Sequence, residues 1–291
     1  MDREHADLEL SSLRAFLNGG DRKHYLRRDG AEVRLAREGR THRLGVTYRD
    51  MLESPRTTTA TWNLFHERPL VTGNLSASLG RAREFEFEAL WRVPRTPVTA
   101  QAIHVTSGGG INSDFEYRRT LVSAGADVGL GRSFSWLPQV EYGALTGQPL
   151  PQESFYLGGP QTLRSLAGDG LGGTRIALAR CEWVFLRDVF GLAHRDGPSP
   201  LPVHAGAFVA SGAVWGNDPF GGPARAGLDW PNAEEWKSEA GVSLLYQPGL
   251  PDPTDFVRVN LAWALGPGQG GNRVSVSFGR ALDMLRAFER P

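Results

Sequence analysis

The sequence predicts an all-β fold, a transmembrane antiparallel β-barrel of about 14 strands (roughly 12–16). Three observations carry this. Apolar and polar residues alternate with a period of two almost from end to end, while helical periodicity is scarce. Several segments keep the alternation for ten residues or more. Strands of soluble proteins usually run ~5–6 residues, whereas a tilted membrane strand needs ~9–11. The polar faces are rich in Gly, Ser, Glu and Arg, as a wet lumen would be.

Composition agrees. The 291 residues hold 32 basic and 32 acidic side chains, so the formal charge is zero and no broad nucleic-acid surface is expected. Eight Trp and 14 Phe argue against disorder. One cysteine, Cys181, excludes an internal disulfide framework and a Cys-based zinc site. No apolar run reaches the ~18 residues of a spanning helix, but barrel strands never show one.

The clearest strands follow in order. In 84–93, Phe85, Phe87, Ala89, Trp91 and Val93 oppose Glu84, Glu86, Glu88, Leu90 and Arg92. From Tyr117 to Leu130 one strand is expected, with Val122, Ala124, Ala126, Val128 and Leu130 against Ser123, Gly125, Asp127 and Gly129. In 237–247, Ala240, Val242, Leu244 and Tyr246 oppose Lys237, Glu239, Gly241 and Ser243. In 255–265, Val257, Val259, Leu261, Trp263 and Leu265 oppose Arg258 and Asn260. A short last strand, Arg273 to Arg280, alternates Val274, Val276 and Phe278 with Arg273, Ser275 and Ser277. Weaker alternation marks 6–17, 31–37, 42–49, 57–65, 71–80, 98–106, 134–146, 174–186 and 203–216. Trp91, Trp215 and Trp263 fall near strand ends, where an aromatic girdle would be. Asp21 to Asp29, DRKHYLRRD, reads as an interfacial or surface loop, as do 188–201 and 217–235. A soluble sandwich or propeller is the rival architecture, and ordinary half-buried strands are its reading of the same pattern.

The stretch Glu153 to Gly173, ESFYLGGPQTLRSLAGDGLGG, is too long and Gly-rich for a hairpin turn. It resembles the large inward-folding loop of the BamA/TamA (bacterial surface-antigen) family of outer-membrane assembly barrels. There a Phe-x-Leu-Gly-Gly segment leads into Val-Arg-Gly-Phe/Tyr. Phe155, Leu157, Gly158 and Gly159 match the first part; Leu163, Arg164, Ser165 and Leu166 occupy the second, where the arginine matches and the glycine and aromatic do not. Glu182-Trp183 fits the strand after the loop. The next strand in the family reads Phe-x-Asp-x-Gly-x-Val-Trp. Here Phe208, Gly212, Val214 and Trp215 match, and Ala210 stands at the Asp. Five strands follow the loop, as in the family, and the resemblance covers about 150–280 of the chain.

The resemblance implies that Arg164 enters the lumen. Its charge cannot be removed by deprotonation, so it requires an acceptor. The family's acceptor is the strand Asp, which Ala210 cannot replace. Strand parity nominates Glu182, opposite Ala177, Ala179, Cys181, Trp183 and Phe185, and Glu239, on the Gly-bearing face of its strand. A solvated loop arginine is the alternative.

The resemblance further implies location in a bacterial outer membrane and a role in insertion, assembly or translocation of proteins there. Outer-membrane lipid, unfolded client proteins and accessory lipoproteins are the implied partners. A client strand would add to an exposed sheet edge by main-chain hydrogen bonds. A passive or accessory pore, favoured by the altered motif, and a soluble all-β binding domain are the rivals. No cofactor, metal or enzyme activity is expected. The seven histidines are scattered, no Gly-x-Ser-x-Gly elbow occurs, and Gly168-Asp169-Gly170 reads as a turn. The Glu84, Glu86, Glu88 ladder is a solvated strand face or a lumenal acidic stripe. Met1 to Leu10 has no secretory signal pattern. With family barrels of sixteen strands and upstream periplasmic domains, the expectation is the barrel portion of a longer product: barrel over 1–282, tail over 283–291.

Overall fold

The computed structural model describes residues 26–55, 77–159, 161–166, 171–190, 203–219, 230–246, 255–266 and 272–280. No helix among them is long and apolar enough to cross a membrane. The wall is built from long strands: β1 (Leu26–Glu38), β2 (His42–Pro55), β3 (Gly80–Arg92), β4 (Val98–Ser107), β5 (Tyr117–Ala126), the short β6 (Val128–Leu130), and β7 (Phe134–Gly147). Two short strands, β8 (Phe155–Leu157) and β9 (Leu171–Gly173), belong to the long loop. The wall resumes with β10 (Arg175–Phe185), β11 (Val203–Trp215), β12 (Lys237–Tyr246), β13 (Asp255–Leu265) and β14 (Arg273–Arg280). All wall strands pair antiparallel with their sequence neighbours in one sheet, β7 pairing with β10 across the loop.

The burial pattern runs opposite to that of a soluble domain. On β3, Phe87 and Trp91 are exposed while Glu84 is buried. On β12, Val242 and Leu244 are exposed and Glu239 and Ser243 buried. On β13, Val259 and Leu265 are exposed and Arg258 and Asn260 buried. Antiparallel register carries the same outward set across the sheet: Val122 lies against Tyr142, Tyr142 against Ala177, Ala207 against Val242, and Val242 against Leu261. Two stacked sheets would bury these apolar faces against each other. Here they form an outer surface, while charged side chains crowd the concave side. This is a transmembrane β-barrel wall, with lipid in place of water outside.

The sheet curls around the long loop. Its edge strands lie at opposite ends of the strand order, yet both reach that loop. Arg28 of β1 is ion-paired with Glu153 at 2.8 Å, and Arg273 of β14 donates to the Leu166 carbonyl. Among the described residues β1 and β14 do not pair with each other.

The two rims differ. One carries the connections 39–41, 93–97, 131–133, 186–202 and 247–254. The other carries 56–79, 108–116, 148–174, 216–236 and 266–272. Aromatic side chains point outward near both: Trp91, Phe134, Trp136 and Trp183 toward the first, Tyr142, Trp215 and Trp263 toward the second. Trp215 is covered by the Trp230 ring, centroids 6.0 Å apart, so the second girdle includes a loop residue.

Eleven of the expected strands correspond to β1–β5, β7 and β10–β14, five of them after the loop. Those at 6–17 and 57–65 lie outside the described residues, as does 71–76 of a third, and β3 begins only at Gly80. The expected strand Tyr117–Leu130 runs in one register: β5 and β6 both pair with β7, from Tyr117 opposite Gly147 to Leu130 opposite Phe134, with the ladder interrupted only at Asp127, whose carboxylate accepts from the Ser135 hydroxyl. One reading is corrected. The charged segment expected as a loop to Asp29 joins β1 from Leu26, because Arg28 faces two carboxylates inside the wall. The Glu84–Glu88 ladder faces the lumen and meets arginines there. Arg49 contacts Glu86 at 3.0 Å and Arg34 contacts Glu88 at 2.5 Å. The expected tail over 283–291 lies outside the described residues, as do 281–282 of the expected barrel and Gly168-Asp169-Gly170.

Candidate functional site: the lumenal loop and its anchors

The loop enters the lumen as a hairpin. β8 pairs with β9, Phe155 opposite Gly173 and Leu157 opposite Leu171, against the inner faces of β10 and β11. Its apolar side chains make a small core with the wall. Leu157 and Leu163 are fully buried, and Phe155 lies over the bare backbone of Gly143. Burying each such side chain contributes roughly 1.5–3 kcal/mol. This drives the loop inward rather than into water.

The turn after β8 needs its two glycines. Gly158 and Gly159 have φ of 135° and 90°, a region that residues with a Cβ rarely adopt. Thr162 closes the turn: its hydroxyl accepts from the Gly158 N–H at 2.7 Å and donates to the Gly158 carbonyl at 2.9 Å. The Gly159 N–H reaches the Leu166 carbonyl at 3.3 Å. Residues 158–159 and 161–166 are therefore held together compactly, with Leu163, Arg164 and Ser165 buried at the tip.

Arg164 points into the wall. Its Nη2 donates to Glu182 Oε1, and its guanidinium lies 4.1 Å from the centre of the Phe208 ring. Glu239 does not take the guanidinium; its Oε2 accepts the Ser165 N–H at 2.6 Å. The two carboxylates thus share the tip, one on the side chain and one on the backbone. Register explains how they serve in place of an aspartate at 210. Ala210 lies directly between Arg180 of β10 and Glu239 of β12, and Glu182 is paired with Phe208. The small Ala210 and Gly212 leave room beside the loop, where Leu157 packs within 3.0 Å of a Cβ built at 212.

Arg258 completes the anchor. Its Nη1 contacts both oxygens of Glu182 at 2.9 Å. The side chains of Arg164 and Arg258 are each only 6 % exposed, with Glu182 between them. Parity had placed Arg258 on the polar face of its strand, but nothing in the sequence paired it with Glu182 across two intervening strands. Arg180 adds a bond to the Gln161 carbonyl, and Arg273 one to the Leu166 carbonyl.

A second group holds the base of the loop. Glu153 meets Arg28, and Arg28 also holds Glu53 at 2.7 Å. Gln152 donates to the other Glu53 oxygen at 3.0 Å. The Tyr117 hydroxyl donates to Glu84. Carboxylate oxygens of Glu53, Glu84 and Glu153 all lie within 4.8 Å of one another. Arg28, Gln152 and Tyr117 meet these carboxylates, which accounts for the cluster as an internal polar network. Burial pushes the Glu153 carboxyl up to about 7, with Glu84 and Glu53 adding to the rise and Arg28 and Arg119 opposing it. Of these base residues the sequence singled out only Glu84, in the ladder read as a solvated strand face or a lumenal acidic stripe. Glu153 and Gln152 open the loop, but which strands they meet is a property of the curl.

No family model and no curated protein matches the sequence. Solved structures do. CdiB from Escherichia coli is 14% identical, over 87% of this chain and 44% of that one, with a TM-score of 0.49. CdiB from Acinetobacter baumannii is 12% identical, over 88% and 50% of the two chains, at 0.41. An outer membrane channel from Pseudomonas putida F1 is 7% identical, over 87% and 82%, at 0.34. This chain spans less than half the length of the E. coli CdiB chain. At these identities and scores the comparisons add no weight. The fold rests on the outward apolar faces, the buried charges and the antiparallel register.

Proposed function

We propose that the chain is the membrane barrel of a bacterial outer-membrane protein similar to the BamA/TamA family, and that it assists the insertion or translocation of other proteins. The observation that carries this reading is the anchored loop. A Phe-x-Leu-Gly-Gly segment runs into a lumenal arginine, and that arginine is held by a carboxylate of the wall although the family's Asp position is Ala210. A passive channel has no need to pin the tip of a loop through carboxylates of two strands, Glu182 on Arg164 and Glu239 on the Ser165 N–H. The sheet edge adds support. Among the described residues β1 ends the sheet and is exposed along nearly its whole length, and such an edge can accept a client strand by main-chain hydrogen bonds. In lipid that edge is costly until it is filled, which favours pairing with an incoming strand.

Sidedness follows from the connections. Outer-membrane barrels keep short turns in the periplasm and longer loops outside. The rim carrying 56–79, 148–174 and 216–236 is then the outer one, and the loop enters from the cell surface. Unfolded outer-membrane or secreted proteins are the clients in this reading, with accessory lipoproteins as partners.

Depletion of the protein in its host, scored by the levels of other outer-membrane proteins, tests the role. Falling levels, restored by the wild type but not by Arg164→Ala, are the expected result. Unchanged levels would leave an accessory pore. Heat-modifiable migration of the purified chain in a detergent gel tests the barrel separately.

A further inference from the structure

We propose that the outer rim carries a binding site for a phosphate-bearing lipid, formed by Arg118 and Arg175; this rests on the outer-membrane reading above. Both side chains project from the lipid-facing side of the wall. Arg118 pairs with Thr106 of β4 and Thr146 of β7, and Arg175 pairs with Ala144 of β7 and Trp215 of β11, all on the outward face. The two arginines therefore flank β7, and between them β7 offers only the small side chains Ala144 and Thr146.

Their surroundings are what distinguish them. The other outward arginines of this rim have acids. Arg81 and Arg83 share Asp50, and Arg27 pairs with Asp29 at 2.6 Å. Neither the Arg118 nor the Arg175 guanidinium has an ion pair or hydrogen bond among the described residues. Glu116, two residues before Arg118, forms no ion pair with it. Depth is set by the aromatic side chains. Tyr142 follows Ala144 toward the membrane on the outward face of β7, and Trp215 sits beside Arg175. Tyr and Trp lie at headgroup level. Two guanidiniums at that depth face neither bulk water nor a protein anion. A lipid phosphate supplies the missing charge, and a planar guanidinium can grip it through two N–H groups at once. The small floor between them admits a headgroup next to the wall, and the exposed Val122 and Tyr142 below offer a track for its acyl chains.

The test is native mass spectrometry of the full chain in a neutral detergent, titrated with diphosphorylated lipid A and with the same lipid stripped of phosphate. The expected result is at least about tenfold tighter binding of the phosphorylated lipid. Arg118→Gln with Arg175→Gln removes that preference. Arg95→Gln, in a turn of the opposite rim, keeps it. The two forms binding equally to the wild type overturns the proposal, and this arm decides even if the double variant does not fold. A preference that survives in a folded double variant also overturns it. A chain that is not heat-modifiable and binds neither lipid fails earlier, at the barrel itself.

Discussion

Glu182 is the residue on which the lumenal loop depends most. It faces two arginines whose side chains are almost fully buried, and neither can shed its charge. Removing one partner of such a group leaves uncompensated buried charge, which costs about 3–5 kcal/mol. Glu182→Gln should therefore release the tip of the loop, read as rapid proteolysis within 158–166 and a lower urea midpoint. Wild-type protection in the variant would show that Phe208 and the backbone bonds suffice. Glu153 makes a second prediction at this scale. Its folded pKa is raised to about 7 from an ordinary 4.5. A carboxyl shifted upward stabilises the docked loop fully below its unfolded pKa, and that contribution is lost as pH rises through the folded value. Base docking should weaken between about pH 4.5 and 7, and Glu153→Gln should flatten that part of the profile. Hydrogen exchange of 151–157 against pH measures it; an identical profile in the variant would refute the assignment. The sequence made Arg164 and its two candidate carboxylates legible through motif and parity. It could not divide the work between them, because which oxygen meets a guanidinium and which an N–H depends on the approach of the loop. Arg28 and Arg258 were invisible as partners because Arg28 meets Glu53 across the β1–β2 pair and Glu153 from the loop, while Arg258 reaches Glu182 past two intervening strands.

At the scale of elements, the fit between the loop and the wall turns on missing side chains. A Cβ on Gly143 would lie 2.5 Å from the Phe155 ring and 2.9 Å from Ile176. Both neighbours are buried in the same small core, so neither can yield cheaply. Gly143→Ala should cost about 1–3 kcal/mol and push β8 away from the wall. Loss of Phe155 protection in hydrogen exchange, with β7 and β10 still protected, is the expected signature; loss across all three would mean that the wall itself fails. Strand existence was the most legible level of the molecule, because alternation over ten residues survives local exceptions. Boundaries were less so. Asp127 interrupts the ladder without changing its register, so the alternation that runs β5 and β6 together reads one strand that the hydrogen bonding divides. The start of β1 was hidden for the opposite reason. LRRD looks like a solvated loop until the strand that pairs with it supplies Glu53 to Arg28.

For the whole molecule, the decisive feature is which side of the sheet meets which solvent. Val259 and Leu265 lie on the same outward face of β13, six residues and about 20 Å of strand apart. They are similarly exposed, at 42% and 48%. In water, an arginine at either position would be nearly neutral, since an exposed side chain loses little on becoming charged. In a bilayer the two positions differ. Val259 lies within the hydrocarbon band, where an outward arginine costs about 2–4 kcal/mol, whereas Leu265 closes the strand at the outer rim, where the cost falls to about 0–1 kcal/mol. The difference between Val259→Arg and Leu265→Arg, measured by urea unfolding from lipid vesicles, therefore reports depth and not just burial. The inward side gives the complementary sign. Ser275 faces the lumen next to Asn260, so a charge there meets water and polar groups and should be tolerated in lipid as in detergent. Equal and small costs at Val259 and Leu265 would mean that the apolar face is covered by something other than lipid. The lumenal anchor would then have to be explained in a molecule whose outer surface is itself an interface.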